Sequence, residues 1–244
     1  VTRPWLYHGH PLTLPVITLA RVQVNWENDQ TYKLCFERVF KLMSELLHRP
    51  VEWHYIHGRG WKSVVMDLST KSSSGKPRCN HGSTMVLTSQ GLGQYLLEQF
   101  GRPGQTWQWH VRHVFRACDI HVRRCAKQAA GSGNGKIVNE MLTIQNARNE
   151  GEYLEIIQDL QSINHVQTMV EPCLHVTAKY TKKIANWAEH KKHIHVSSAI
   201  CKCMSLMTPE IWEITRPHTN AVEQSAQKAY SYGKHLSLHE AIRV

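Results

Sequence analysis

The chain has 244 residues, 41% of them hydrophobic, enough for one domain with a real core. Lys and Arg number 29 against 19 Asp and Glu, a formal charge of +10 and a sequence pI near 9.3, which favours a polyanionic partner, nucleic acid first. No uninterrupted apolar run approaches the ~20 residues of a bilayer span, which argues against a membrane partner.

Val16 to Val24 is β-branched and predicts a strand. After a polar turn, Tyr32, Cys35, Phe36, Val39, Phe40, Met43, Leu46 and Leu47 recur at helical spacing until Pro50, which predicts a helix over 29–48 with a core-facing stripe. Val51 to His57 reads as a short strand and Gly58 to Gly60 as a turn. Ser63 to Met66 predicts a buried strand with Asp67 at its carboxyl end. Residues 72–89 are Ser/Gly/Asn-rich and aperiodic, an exposed loop or insertion. Leu68 to Lys71 would join naturally to Gln90-Gly91-Leu92-Gly93, where a helix resumes, so the piece between reads as foreign, in the manner of a retained intron.

Gly101 to Gly104 is a turn, and His113 to Ala117 predicts a third strand leading through Cys118-Asp119-Ile120-His121 into a basic helix. Gly131 to Lys136 resembles a phosphate loop, but Ala130 stands where the first Gly should and Ile137 where Ser or Thr should, so a linker is the better reading. From Ile137 to about Met207 the pattern is helical, with breaks near Glu150 and Pro172. Pro209 and Pro217 bracket a short segment, and Thr219 to Tyr232 predicts a last helix.

Glu223 is the one acid in an otherwise uncharged run, His218 to Ser225. A solvated helix face would carry several charges, so a lone carboxylate among small residues is a candidate ligand. Mg²⁺ is a hard ion that prefers oxygen, and carboxylates from a strand end (Asp67) and a helix (Glu223) could converge on it. The bland reading makes Asp67 a cap and Glu223 a surface acid. Cys118 and His121 form half a zinc site, for which Cys201 and Cys203 or His193 and His195 could supply the rest. With 17 histidines, chance pairs are expected. Arg112, Arg116, Arg123, Arg124 and Lys127 cluster near Trp107 and Trp109 as candidate phosphate contacts, and Lys179, Lys182, Lys183, Lys191 and Lys192 add charge. Seven cysteines, an odd count, fit a reducing intracellular compartment better than a disulfide scaffold.

Asp67 after a hydrophobic strand, then Cys118-x-x-His121, then Thr219-Asn220-Ala221-Val222-Glu223-Gln224-Ser225, resembles the Mutator-like element transposases from about Val16 onward. The resemblance implies an α/β fold: a ribonuclease-H-like mixed-sheet core with a helical insertion before the last catalytic helix. It divides the chain into a partial core over 16–136, a helical insertion over 137–210 and the final core helix over 211–244. It makes Asp67 and Glu223 the second and third catalytic carboxylates, holding Mg²⁺ or Mn²⁺ for DNA strand cleavage and transfer. Transposon-end DNA would be the partner, with the nucleus as location and room for a homo-oligomer. Two departures stand out. Gln224 intervenes where Ser directly follows the Glu in the wider family, and no strand-borne Asp precedes Asp67, since Asp29 sits at a helix start. The chain opens at Val1 and already reads as mid-domain by residue 16, so the expectation is an inactive fragment. The competing classes are a non-catalytic DNA-binding derivative and a zinc-stabilised, His-rich interaction protein.

Overall fold

The computed structural model describes residues 6–7, 10–11, 28–66, 84–131, 133–166 and 178–219. The expected strand over 16–24, Asp67, most of the expected insertion and the expected last helix with Glu223 lie outside them. The chain divides into two compact units, Val1–Gln23 with Thr219–Val244, and Val24–His218. In the first, β1 (Leu6–Tyr7) pairs antiparallel with β2 (His10–Pro11).

The second unit opens with α1 (Asp29–Leu47). Asn28 caps it by accepting a hydrogen bond from the Thr31 N–H at 2.7 Å, and it ends at His48 in the left-handed region, two residues before Pro50. Of the predicted stripe Phe40 is buried, but Leu46 and Leu47 at its end are 70% and 50% exposed, so the stripe runs past the core. Asp29 serves packing: its carboxylate accepts the side-chain amides of Gln90 and Gln94 at 2.9 and 3.2 Å.

The expected strand at 51–57 is instead a single bridge between Trp53 and Trp61 followed by the short helix α2 (His54–His57). Gly58, at φ 71°, closes that turn. β3 (Val64–Met66) follows as predicted. The next helix, α3 (Thr84–Phe100), is already under way six residues before the expected start at Gln90, and Ser89 within it is fully buried. Residues 84–89 are therefore the opening turns of this helix. At Gly91 α3 touches α1 so closely that a Cβ would sit 2.6 Å from the Lys33 backbone nitrogen.

α4 (Trp107–Val114), capped by Thr106, occupies ground expected to be the start of a strand; β4 is confined to Phe115–Ala117. β3 and β4 pair in parallel, Val64 opposite Phe115 and Met66 opposite Ala117, with α3 and α4 forming the crossover that parallel strands require. The fold is thus mostly helical around a small parallel sheet, an α/β arrangement in the coarse sense.

α5 (Asp119–Ala130) and α6 (Gly135–Leu142) follow, then α7 (Glu150–Val166), α8 (Ala178–Lys191), α9 (Ile194–Ile200) and α10 (Pro209–Ile214). Gly151 lies inside α7, so the break there falls just before Glu150. Thr208 caps α10, with Pro209 in its first turn where a missing N–H costs nothing.

Two cores meet at α4 and β4. Val114 joins Phe40, Trp53, Leu92 and Leu96 on one side. Val111, Phe115 and Ala117 join Val122, Tyr153, Ile184 and Val196 on the other. The helical block after residue 136 therefore shares a core with the end of the sheet.

Candidate carboxylate region and basic cavity

Three distant segments meet at the carboxyl end of the sheet. The Cys118 N–H donates to the Met66 carbonyl at 2.9 Å, and the Asp119 N–H donates to the Pro217 carbonyl at 2.8 Å. At the other, amino end of β3 the Thr215 hydroxyl donates to Ser63 at 2.8 Å. Asp67 follows Met66 in sequence, and the segment carrying Glu223 follows Pro217. Neither acid is among the described residues.

Asp119, which sequence reasoning passed over as the spacer of Cys118-x-x-His121, is the carboxylate described at this end. Burial pushes its carboxyl above the usual range, against the pull of Arg116. The Arg116 guanidinium lies 3.7 Å away, and the Gln145 amide donates to Asp119 at 3.2 Å.

Arg116 and Arg112 are both engaged by backbone carbonyls. Arg116 donates to the carbonyls of Trp212 at 2.7 Å and Thr215 at 2.9 Å, and its guanidinium stacks 4.6 Å from the Trp212 ring centre. Arg112 donates twice to the Met204 carbonyl, at 3.3 and 3.0 Å. Both guanidinia satisfy carbonyls that would otherwise be left short of donors. Arg116→Gln is expected to cost about 2 kcal/mol in a urea unfolding series, the range for hydrogen bonds to a charged group. DNA affinity should fall no further than one surface charge explains.

Trp107 and Trp109 are likewise engaged, 5.1 Å from the His195 ring and 4.3 Å from the His113 ring. Lys191 is buried, with its ammonium 5.2 Å from the Trp187 ring centre, and Lys192 pairs with Glu189 at 2.9 Å.

The residues of the zinc alternative are also among those described. Cys118 is fully buried at the start of α5, where its carbonyl accepts the N–H groups of His121 and Val122. Cys201 and Cys203 bring their sulfurs to 3.3 Å, and His193 stacks on His195 at 5.8 Å. Burial, with the Cys203 sulfur beside it, pushes the Cys201 thiol up to about 12. Among the described residues no group of three or more His, Cys, Asp or Glu is placed to hold a metal ion.

Arg123 and Lys127 stay exposed on α5, as does Arg124, which is hydrogen-bonded to His121 at 3.2 Å. Arg123 and Lys127 line a cavity of about 620 Å³ with Lys183 and Tyr180 of α8 and Asn139 of α6. Lys183 places its ammonium 5.5 Å from the Tyr180 ring centre. Gly131 admits that ring: a Cβ there would lie 2.8 Å from it. No acid lines the cavity, and none of the three cations forms an ion pair with a described residue. The residue that sequence reasoning missed is Tyr180; its signal was the three-residue spacing to Lys183, which puts both on one helix face.

No protein-family model matches the chain, and no curated protein or solved structure matches it. No helix among the described residues is long and apolar enough to cross a membrane.

Proposed function

We propose that this chain is part of a DDE-type DNA transposase of the Mutator-like kind, built on a ribonuclease-H-like core. Asp67 and Glu223 would hold the divalent metal, and transposon-end DNA would be the substrate, handled in the nucleus. The observation that supports this best is the meeting of Met66, Cys118 and Pro217 at one end of a parallel strand pair. Ligands in open α/β sheets bind outside the carboxyl ends of the strands, where loops from several segments converge. Asp67 is the next residue after Met66 in sequence, and Glu223 is assigned by the resemblance of its own motif. Among the described residues nothing fits the ion. Asp119 is engaged by Arg116 and Gln145 and contributes no spare oxygen set.

Mn²⁺ titration followed by electron paramagnetic resonance tests the reading. The chain should bind Mn²⁺, and Asp67→Asn or Glu223→Gln should each weaken binding at least ~10-fold, since oxygen ligands dominate affinity for such ions. Unchanged binding in both variants would sink the assignment. This polypeptide supplies two of the three carboxylates of the family set, so labelled DNA should remain uncut by it with Mg²⁺ or Mn²⁺. Strand cleavage would overturn that expectation.

A non-catalytic DNA-binding role is favoured by one observation of its own. The acid-free basic cavity is built from described residues and needs no metal.

A further inference from the structure

We infer that the cavity between α5, α6 and α8 seats the sugar–phosphate backbone of a nucleic-acid strand, with Arg123, Lys127 and Lys183 as its phosphate contacts. The inference rests on the nucleic-acid reading above and names the surface that performs it. Arg123 and Lys127 are one turn apart on α5, a spacing at which like charges disfavour a helix by a few tenths of a kcal/mol. Lys183 enters from α8, which packs on α5, and brings a third positive charge to the same space. A solvated basic face would scatter such charges among acids. Here three converge from two helices and no acid lines the cavity.

Apolar walls sharpen the field of clustered charges, and Val138 and the Tyr180 ring provide them. The Tyr180 ring also fixes Lys183 from below through the cation–π contact, reducing the freedom it would lose on meeting a phosphate. Gln128 and Asn139 add neutral amides suited to sugar and phosphate oxygens. A volume of about 620 Å³ is too roomy and open to clamp one free phosphate, and it suits a short run of strand.

The test compares two triple variants with equal loss of charge. One carries Arg123→Gln, Lys127→Gln and Lys183→Gln. The other carries Arg38→Gln, Lys41→Gln and Arg102→Gln, all exposed and outside the cavity. Fluorescence anisotropy with labelled oligothymidine and with a duplex of equal length, across a salt series, reads affinity. Thermal melting confirms that both variants fold, and Lys127→Arg with Lys183→Arg should retain binding. The cavity variant should lose at least ~30-fold in affinity for oligothymidine, and its log–log salt slope should shrink by about 2, at roughly 0.7 per contact. The control should lose less than ~5-fold.

Equal losses in the two variants would overturn the cavity and leave the nucleic-acid reading standing. Pyrophosphate binding that disappears in the cavity variant, with DNA binding intact, would reassign the cavity to small phosphate compounds and also overturn it. Failure of the parent chain to bind either DNA at low salt would overturn both inferences together.

Discussion

Acidification from neutral pH to about pH 5 is expected to remove on the order of 3 kcal/mol of folding stability, ahead of most carboxylate titration. The cause is a set of buried histidines held neutral. Burial lowers His113 and His195 from 6.5 to about 4 each, and it lowers His110 as well. A contact with the Leu206 backbone pulls His113 the other way but does not prevail. The Nε2 atoms of His110, His113 and His195 are buried without a hydrogen-bond partner, so a proton arriving there finds nothing to accept it.

The direction follows from linkage. A histidine depressed in the fold is protonated first in the unfolded chain. Its stabilising effect is therefore whole above about pH 6.5 and drains away as pH falls toward 4. His113 and His195 alone would give about 4 kcal/mol by pH 5, and the figure is reduced because His113 is partly exposed. Asp119 acts in the opposite sense, its raised carboxyl favouring the fold as pH falls. Urea denaturation at pH 7, 6 and 5 measures the slope. His113→Gln with His195→Gln should flatten it whatever it does to stability at pH 7. A wild-type midpoint constant over that range would show the histidines to be solvated.

Trp53→Ala is expected to cost about 3–5 kcal/mol, the usual loss for a fully buried Trp, and to move the urea midpoint accordingly. Trp53 is completely buried, edge-on to Phe40 with ring centres 5.4 Å apart and 6.0 Å from Trp61. It bridges α1 to the segment that leads into β3, so its loss empties the middle of that core. Its indole N–H is buried without a partner. Trp53→Phe removes that unmet donor together with some volume, so it should cost well under half as much as the alanine variant. Similar losses for both would place the energy in the indole itself rather than in filled space.

What could be read from the chain alone divides along physical lines. α1, β3 and α5 were legible because periodic apolar positions and a stop signal, Pro50 for α1, act locally. α4 was not, because two of the residues it uses to contact the fold, His110 and His113, are polar letters whose Nε2 atoms are buried through tertiary contacts. Val51 and Trp53 read as a strand by composition, yet the left-handed turn at Gly58 closes a helix there. Positive charge on α5 was visible, but which cations stay available depends on partners far away in sequence. Trp212 and Met204 claim Arg116 and Arg112, while Tyr180 and Lys183 complete the cavity. The carboxylate pair came only from motif order, and both acids lie outside the described residues.

The tie between Asp119 and Pro217 also sets a timetable. As the chain emerges from the ribosome, β3 and β4 can pair long before residue 217 exists. The Asp119 N–H and the Arg116 guanidinium then wait for carbonyls that translation has yet to deliver. Non-local closures of this kind come late in folding and leave partly formed surfaces open to wrong partners. A nascent chain paused before α10 should accordingly be the form most readily captured by chaperones.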